Sequence, residues 1–350
     1  SEGLEETKVS NNVSVLMWAG SNVALSVSLV TVNKIVMQKY GFTFVLTLTF
    51  CHFLATAIFM EFVTRLQLFG SSVKYMPMRD NLITAAAGVG SIAFMNFSLQ
   101  ANSIGFYQIS KLCVIPVVLV IEFFTQSKVQ GNKILFSLAI LLVGVGIATV
   151  TDVEFNIKGM IFAVLAVVCT AQFQIWQGSK QKEHSLSAIQ ATHSTAIPMS
   201  IITLLSLVQF ESDVVKHKFS PDSMDIYLIM LTCVIALTMN VTSYGLIGKT
   251  SAVTFQVVGH AKTCLILASG FLFFTQAFTL QVMKNMIGLG IAVLGMILYG
   301  HLKHTDSQRL KGQEATDVLD KALTMLGYNT AKALESEIQE ISEPREKDRA

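Results

Sequence analysis

The sequence predicts an all-α, polytopic membrane protein of ten transmembrane helices, folded as two inverted five-helix repeats. Three observations predict it. Apolar runs of roughly 20 residues, the length that crosses a bilayer as helix, recur along the chain. Charge is scarce and clustered: of 350 residues 52% are hydrophobic and only 14% charged, with a mean hydropathy of +0.57, against about 25% charged in a soluble domain. Two short motifs from the first half also recur in the second at nearly one offset.

The apolar runs place spans at about 13–37, 42–63, 81–101, 103–124, 134–151, 159–178, 187–209, 225–247, 251–274 and 282–302. A helix satisfies its own backbone polar groups, which lipid cannot do. Pro77 and Pro221 fall in loops, whereas Pro116 and Pro198 lie inside spans 4 and 7. Residues 1–12 are polar and acidic, resembling neither a signal nor a transit peptide; because the chain starts without Met, removal of a leader stays open. Residues 304–350 form a charged tail, read as solvated, with a short helix ending at Gly327 as the alternative. An even span number puts both termini on one side. Arg65, Lys74, Arg79, Lys128, Lys133, Lys180, Lys182 and Lys249 lie in returns on that side, against Lys39, Lys158, Lys216, Lys218 and Lys284 on the other, and Lys303, Arg309 and Lys311 follow span 10. The bias places both termini in the cytosol.

The repeat rests on two anchors. Ser103-Ile-Gly-Phe-Tyr-Gln108 resembles Ser251-Ala-Val-Thr-Phe-Gln256, an offset of 148, and Phe123-Phe-Thr-Gln126 recurs as Phe273-Phe-Thr-Gln276, an offset of 150. Each pair brackets a lysine, Lys111 and Lys262, and each is followed by a Gly-bearing apolar span, at Gly144 and Gly146 and at Gly295. Repeat one is about 13–151 and repeat two about 159–303. Five spans per half force the second half to be inverted, an arrangement that puts a binding site near the midplane at the repeat interface.

Ionisable residues inside spans are the candidates for function, since a central lysine costs roughly 2.5–3.5 kcal/mol to insert. Lys111 has Tyr107 and Gln108 four and three residues earlier, hence on its own face. Its span holds one acid, Glu122, which is eleven residues away, about 16 Å along a helix and out of reach. Lys262 stands at the equivalent depth of span 9, with Gln256, Gly259 and Thr263 along one stripe and His260 beside it. Gly259 lets a ligand or helix approach closely, and His260 is either a ligand contact or an interhelical donor. Asn33 and Lys34 near the end of span 1 are weaker members, since Lys34 has the alternative of snorkelling. Glu122 and Lys249 read as interfacial, and His52 and His193 as structural. Two lysines in low dielectric suit a guest with about two negative charges, as on a pyrophosphate or a nucleoside monophosphate. The five cysteines, in apolar stretches without CxxC spacing, read as core residues and not as metal ligands or disulfides. A net charge of +2 gives no reason to expect a nucleic-acid partner.

The segments Gly105-Phe-Tyr-Gln-Ile-Ser-Lys111-Leu-Cys-Val-Ile-Pro116 and Ile247–Thr263, with Asn33-Lys34 and Leu141–Asp152, resemble the nucleotide-sugar/triose-phosphate translocator family of the drug/metabolite transporter superfamily. The likeness covers roughly 13–303. Lys262-Thr263 is similar to its lysine–threonine subgroup, which includes plant UDP-xylose and UDP-rhamnose/UDP-galactose transporters and animal relatives. The resemblance implies a ten-helix inverted-repeat fold, residence in a Golgi membrane (or endoplasmic reticulum), and alternating-access exchange of a UDP-sugar for UMP. In the plastid members a span-4 lysine and a span-9 Lys-Arg pair clamp phosphate. Lys111 and Lys262 match, and Thr263 stands in place of the arginine, which makes a small phosphorylated sugar a poorer guest. The expectation is a secondary transporter without cofactor or metal, partnered by nucleotide sugar, nucleoside monophosphate and the lipid bilayer, with a homodimer compatible. The rivals are a plastid-type phosphorylated-metabolite/phosphate exchanger and a non-transporting scaffold acting through the tail. No motif for intramembrane catalysis is present.

Overall fold

The computed structural model describes the backbone of residues 2–38, 42, 44–67, 74–150, 156–211, 223–273 and 279–342, and their side chains except at 2–12, 34, 38, 104, 223, 269–273 and most of 310–342. Eleven helices and no strand occur among them. Span 1 is α1 (Glu2–Gln38), span 2 is α2 (Val45–Arg65) and span 3 is α3 (Met78–Ala101). Span 4 comprises α4 (Ile104–Leu112) and α5 (Val114–Gln126), and span 5 is α6 (Asn132–Thr149). Spans 6 to 8 are α7 (Ile157–Glu183), α8 (Ala188–Phe210) and α9 (Ser223–Lys249); spans 9 and 10 are α10 (Ala252–Phe273) and α11 (Leu280–Ser342). Nine of these spans are long and apolar enough to cross a membrane; α10 contributes a shorter apolar stretch, Ala252–Ala268. Large apolar side chains point outward, Phe124 77% exposed and Leu16 71% exposed, as expected where lipid is the solvent. The chain is a multi-pass membrane protein.

The two intramembrane prolines act differently. A proline cannot donate to the carbonyl four residues back. Pro116 leaves the Leu112 carbonyl without its helical donor, and it is there, at Cys113, that α4 gives way to α5. Pro198 leaves the Ser194 carbonyl free, yet α8 runs on unbroken. The Asn81 amide of α3 donates to that carbonyl, so the lost bond is replaced from a neighbouring helix.

The recurring Ser-x-x-x-x-Gln motif starts two equivalent helices. The Ser103 hydroxyl accepts from the Phe106 N–H and the Ser251 hydroxyl from the Thr254 N–H, each an N-cap that satisfies an otherwise orphan donor. The packing repeats as well. α1 lies on α9 as α7 lies on α3, and α2 touches α9 as α8 touches α3. Three further pairs map onto themselves, α2 with α8, α5 with α10, and α6 with α11. Shifting every span by five exchanges these contacts, as two five-span repeats require.

The chain divides into two compact units, Ser1–Met296 and Ile297–Ala350. In the second, the tail read as solvated is helix: α11 continues through Gly327, where the alternative reading ended a short helix, and stops at Ser342. The second copy of the Phe-Phe-Thr-Gln motif lies outside the described residues beyond Phe273.

Candidate functional site

A cavity of about 760 Å³ lies in the first unit, between α1, α3, α4, α6, α7, α9, α10 and the start of α11. Eight residues singled out from sequence line it: Tyr107, Gln108 and Lys111 from α4, and Gln256, Gly259, His260, Lys262 and Thr263 from α10. The α4 residues converge because i and i+4 share a face. The Lys111 ammonium lies 4.5 Å from the centroid of the Tyr107 ring, a cation–π contact. It is exposed within the cavity.

Lys262 is more enclosed. Its ammonium donates to Ser26 Oγ at 2.9 Å and to Asn22 Oδ1 at 3.3 Å, with the Phe255 ring 5.9 Å away. Neither lysine has a carboxylate within ion-pair distance among the described residues. Both ammonium groups and the His260 ring line the one cavity. The cavity is therefore a site with two like charges and no fixed counter-charge in view.

Lys262 is not at the depth of Lys111. It is eleven residues past its N-cap, Ser251, and Lys111 eight past Ser103. The three extra residues set it about 4.5 Å farther along its helix. The true counterparts are Gln108 and Gln256, each five residues past its N-cap and both on the cavity wall. Gln256 donates to Gln174 Oε1 at 2.9 Å. At Gly259 a Cβ would meet nothing nearer than Gln256 Oε1 at 3.9 Å, so the bare backbone faces open space and packs no helix. His260 is 6% exposed, and its Nε2 is buried with no partner among the described residues.

Asn33 is not among the described lining residues, and its Oδ1 is buried without a partner there. The Lys34 side chain lies outside the described residues. Glu122, near the end of its span, is 4% exposed with Lys128 Nζ 3.8 Å away. Lys249 donates to Ser14 Oγ at 2.6 Å on the exposed surface. His52 and His193, read from sequence as structural, both have side-chain partners: His52 Nε2 lies 3.0 Å from Thr232 Oγ1 and His193 Nε2 3.2 Å from Glu61 Oε2.

Sequence reasoning missed the small polar residues of the wall. Ser26, Ser91, Asn96, Thr149, Thr170 and Asn285 all line the cavity, and the Asn96 Nδ2 is buried with no partner among the described residues. The only signal was a polar side chain within an apolar span. A second cavity of about 220 Å³ adjoins, sharing Ser91, Ile92, Thr170, Met239 and Phe255 with the first. It extends toward the end of the bundle where α3 starts and α7 and α9 finish.

The chain is 40% identical over 311 residues to UDP-rhamnose/UDP-galactose transporter 1 of Arabidopsis thaliana, spanning 87% of this chain and 88% of that one. It is 36% identical over 303 residues to UDP-xylose transporter 2 of the same plant, spanning 85% and 84%. A solved crystal structure superposes with a TM-score of 0.65, covering 83% of this chain and 97% of that one at 11% identity, a likeness of fold alone. Residues 12–300 match the sequence profile of the Triose-phosphate Transporter family, and the chain belongs to that family.

Proposed function

We propose that this protein is a nucleotide-sugar transporter that exchanges a UDP-sugar for UMP by alternating access around the central cavity. One observation carries the reading: Lys111 and Lys262, from corresponding spans of the two halves, share one cavity with aromatic rings beside both ammonium groups and no carboxylate partner among the described residues. A pyrophosphate or monophosphate brings the missing negative charge. Tyr107, Phe255, Gln108 and Gln256 supply a ring face and amides for the rest of such a guest. A cavity of about 760 Å³ is within the roughly 300–1,000 Å³ that suits a guest of drug size. The names of the plant relatives support UDP-sugars as the class. Thr263, and the lack of arginine among the described lining residues, weigh against a clamp for small phosphates.

Exchange follows from the same charges. A loaded carrier reorients with its lysines compensated, whereas an empty one closes on two unpaired cations, which costs several kcal/mol. We place the protein in the Golgi membrane with both termini cytosolic, on the basic bias of the returns and the resemblance of the cavity segments.

The test is exchange in proteoliposomes preloaded with UMP or GMP and offered UDP-, GDP- and CMP-sugars or triose phosphate. UDP-sugar uptake against UMP, competed by excess UMP and not by phosphate, is expected. Lys111→Ala and Lys262→Ala should each reduce it severely, a loss of about 2–4 kcal/mol or thirtyfold and more. Unchanged uptake in both variants for every tested substrate would instead support a non-transporting role.

A further inference from the structure

Lys262 is held by a side chain that fixes its position without neutralising it. Asn22 of α1 is completely buried. Its Nδ2 donates to Ser243 Oγ at 2.9 Å and to Thr242 Oγ1 at 3.2 Å, both on α9. Those hydroxyls are themselves engaged as donors, to the Met239 carbonyl at 2.8 and 2.9 Å. They can therefore only accept from Asn22. This fixes the amide, with its NH₂ toward α9 and its Oδ1 toward α10, where that oxygen accepts from the Lys262 ammonium at 3.3 Å. Ser26, one turn later on α1, accepts from the same ammonium at 2.9 Å and donates to Met239 Sδ at 3.4 Å.

Both acceptors are neutral dipoles. A carboxylate in either place would pair with Lys262 and leave it with no charge to offer a guest. We propose that Asn22 is a positioning residue for substrate binding that orients Lys262 while leaving its charge uncompensated, and so makes reorientation conditional on a bound anion. The inference rests on the reading of Lys262 as a phosphate-binding group and adds the element that enforces exchange. Because Asn22 also joins α1 to α9, the ammonium is tied to both helices in this conformation. A phosphate that draws the ammonium into the cavity loosens that tie at the moment the charge is neutralised.

The discriminating substitution is Asn22→Asp, which supplies permanently the charge a guest supplies transiently. Proteoliposomes loaded with labelled UMP are diluted into buffer with or without UDP-sugar. Wild-type protein should release UMP only against UDP-sugar. Asn22→Asp should release it into substrate-free buffer at a rate raised on the order of tenfold, with the KM for exchange raised as well. Asn22→Ala removes the hold and adds no charge, so it should raise KM and leave substrate-free release at the wild-type level. Since the carboxylate needs the Thr242 and Ser243 hydroxyls to swing away from Met239, Ser26→Asp is a second route to the same charge with the same expected leak. Substrate-free release at the wild-type level in whichever of the two aspartate variants purifies as a monodisperse, substrate-exchanging protein overturns the proposal. Lys262→Ala separates the layers: undiminished exchange there defeats the phosphate-binding reading itself, whereas lost exchange with no aspartate leak defeats only the role of Asn22.

Discussion

The Lys111 ammonium over the Tyr107 ring is the contact most open to a direct energetic test. A cation–π pair in a solvated setting contributes about 0.5–1 kcal/mol, and the ring also keeps the ammonium from wandering across the cavity it faces. Tyr107→Phe keeps the ring face, Tyr107→Leu removes it. The KM for UDP-sugar exchange should stay within about twofold for Phe and rise roughly two- to fivefold for Leu; equal effects of the two would assign the role to the hydroxyl. This pair was legible because i and i+4 spacing is a property of the chain. Asn22 and Ser26 were not. Ser26 looks in sequence like Ser28 and Thr31, whose hydroxyls merely donate to carbonyls four residues back, on Ala24 and Val27. Only the packing of α10 against α1 separates a side chain that holds Lys262 from those that satisfy their own helix.

α6 and α11 approach backbone to backbone, and glycine permits it. A Cβ on Gly144 would collide with the Ala292 backbone nitrogen; on Gly295 it would stand 2.5 Å from that of Leu141, and on Gly288 2.5 Å from that of Ala148. Backbone cannot yield as a flexible side chain does, so α6 and α11 would have to separate. Gly146 is different, its Cβ meeting only Leu112 Cδ1 at 3.6 Å. Gly144→Ala should therefore destabilise the detergent-solubilised protein by about 1–3 kcal/mol and lower its thermal midpoint. Gly146→Ala should leave the midpoint unchanged or slightly raised. Equal shifts would mean that the crossing tolerates a methyl group. The sequence marked both glycines and could not rank them, because the rank depends on which face of α6 meets α11. The prolines carry the same lesson: Pro116 and Pro198 look alike in their spans, and the donor that spares α8 comes from Asn81, more than a hundred residues earlier.

For the molecule as a whole, ten spans and their five-plus-five parity were legible, because hydropathy and repeat offset belong to every conformation of the chain. Which end of the bundle carries polar ties was not, because contacts between spans distant in sequence leave no trace in hydropathy or repeat offset. In this conformation the end where α3 starts and α7 and α9 finish is tied by polar contacts. Asp80 Oδ2 lies 3.1 Å from Lys180 Nζ and 2.9 Å from His184 Nε2, joining α3 to the end of α7. Tyr244 donates to Thr195 Oγ1 at 2.8 Å, the Met76 N–H to Ser194 Oγ at 3.1 Å, and Lys182 to the Thr250 carbonyl at 3.2 Å. The second cavity lies directly beneath, walled by Thr192, Thr195 and Tyr244. The proposed alternating access, if it runs through this end, requires these contacts to part. Asp80 is the one to weaken, because a single carboxylate there holds two partners and is largely shielded, 17% exposed. Asp80→Asn should reduce the latch by about 1 kcal/mol, which corresponds to roughly fivefold in the open population. With the five native cysteines replaced by serine, a cysteine introduced at Thr192, 2% exposed, should then react with an impermeant thiol reagent about fivefold faster when Asp80 is Asn. Saturating UDP-sugar should change that rate in both backgrounds by shifting the same equilibrium. A rate indifferent to Asp80→Asn would mean that the apolar packing of Met76, Leu186, Ala191 and Tyr244, and not the ion pairs, keeps this end shut.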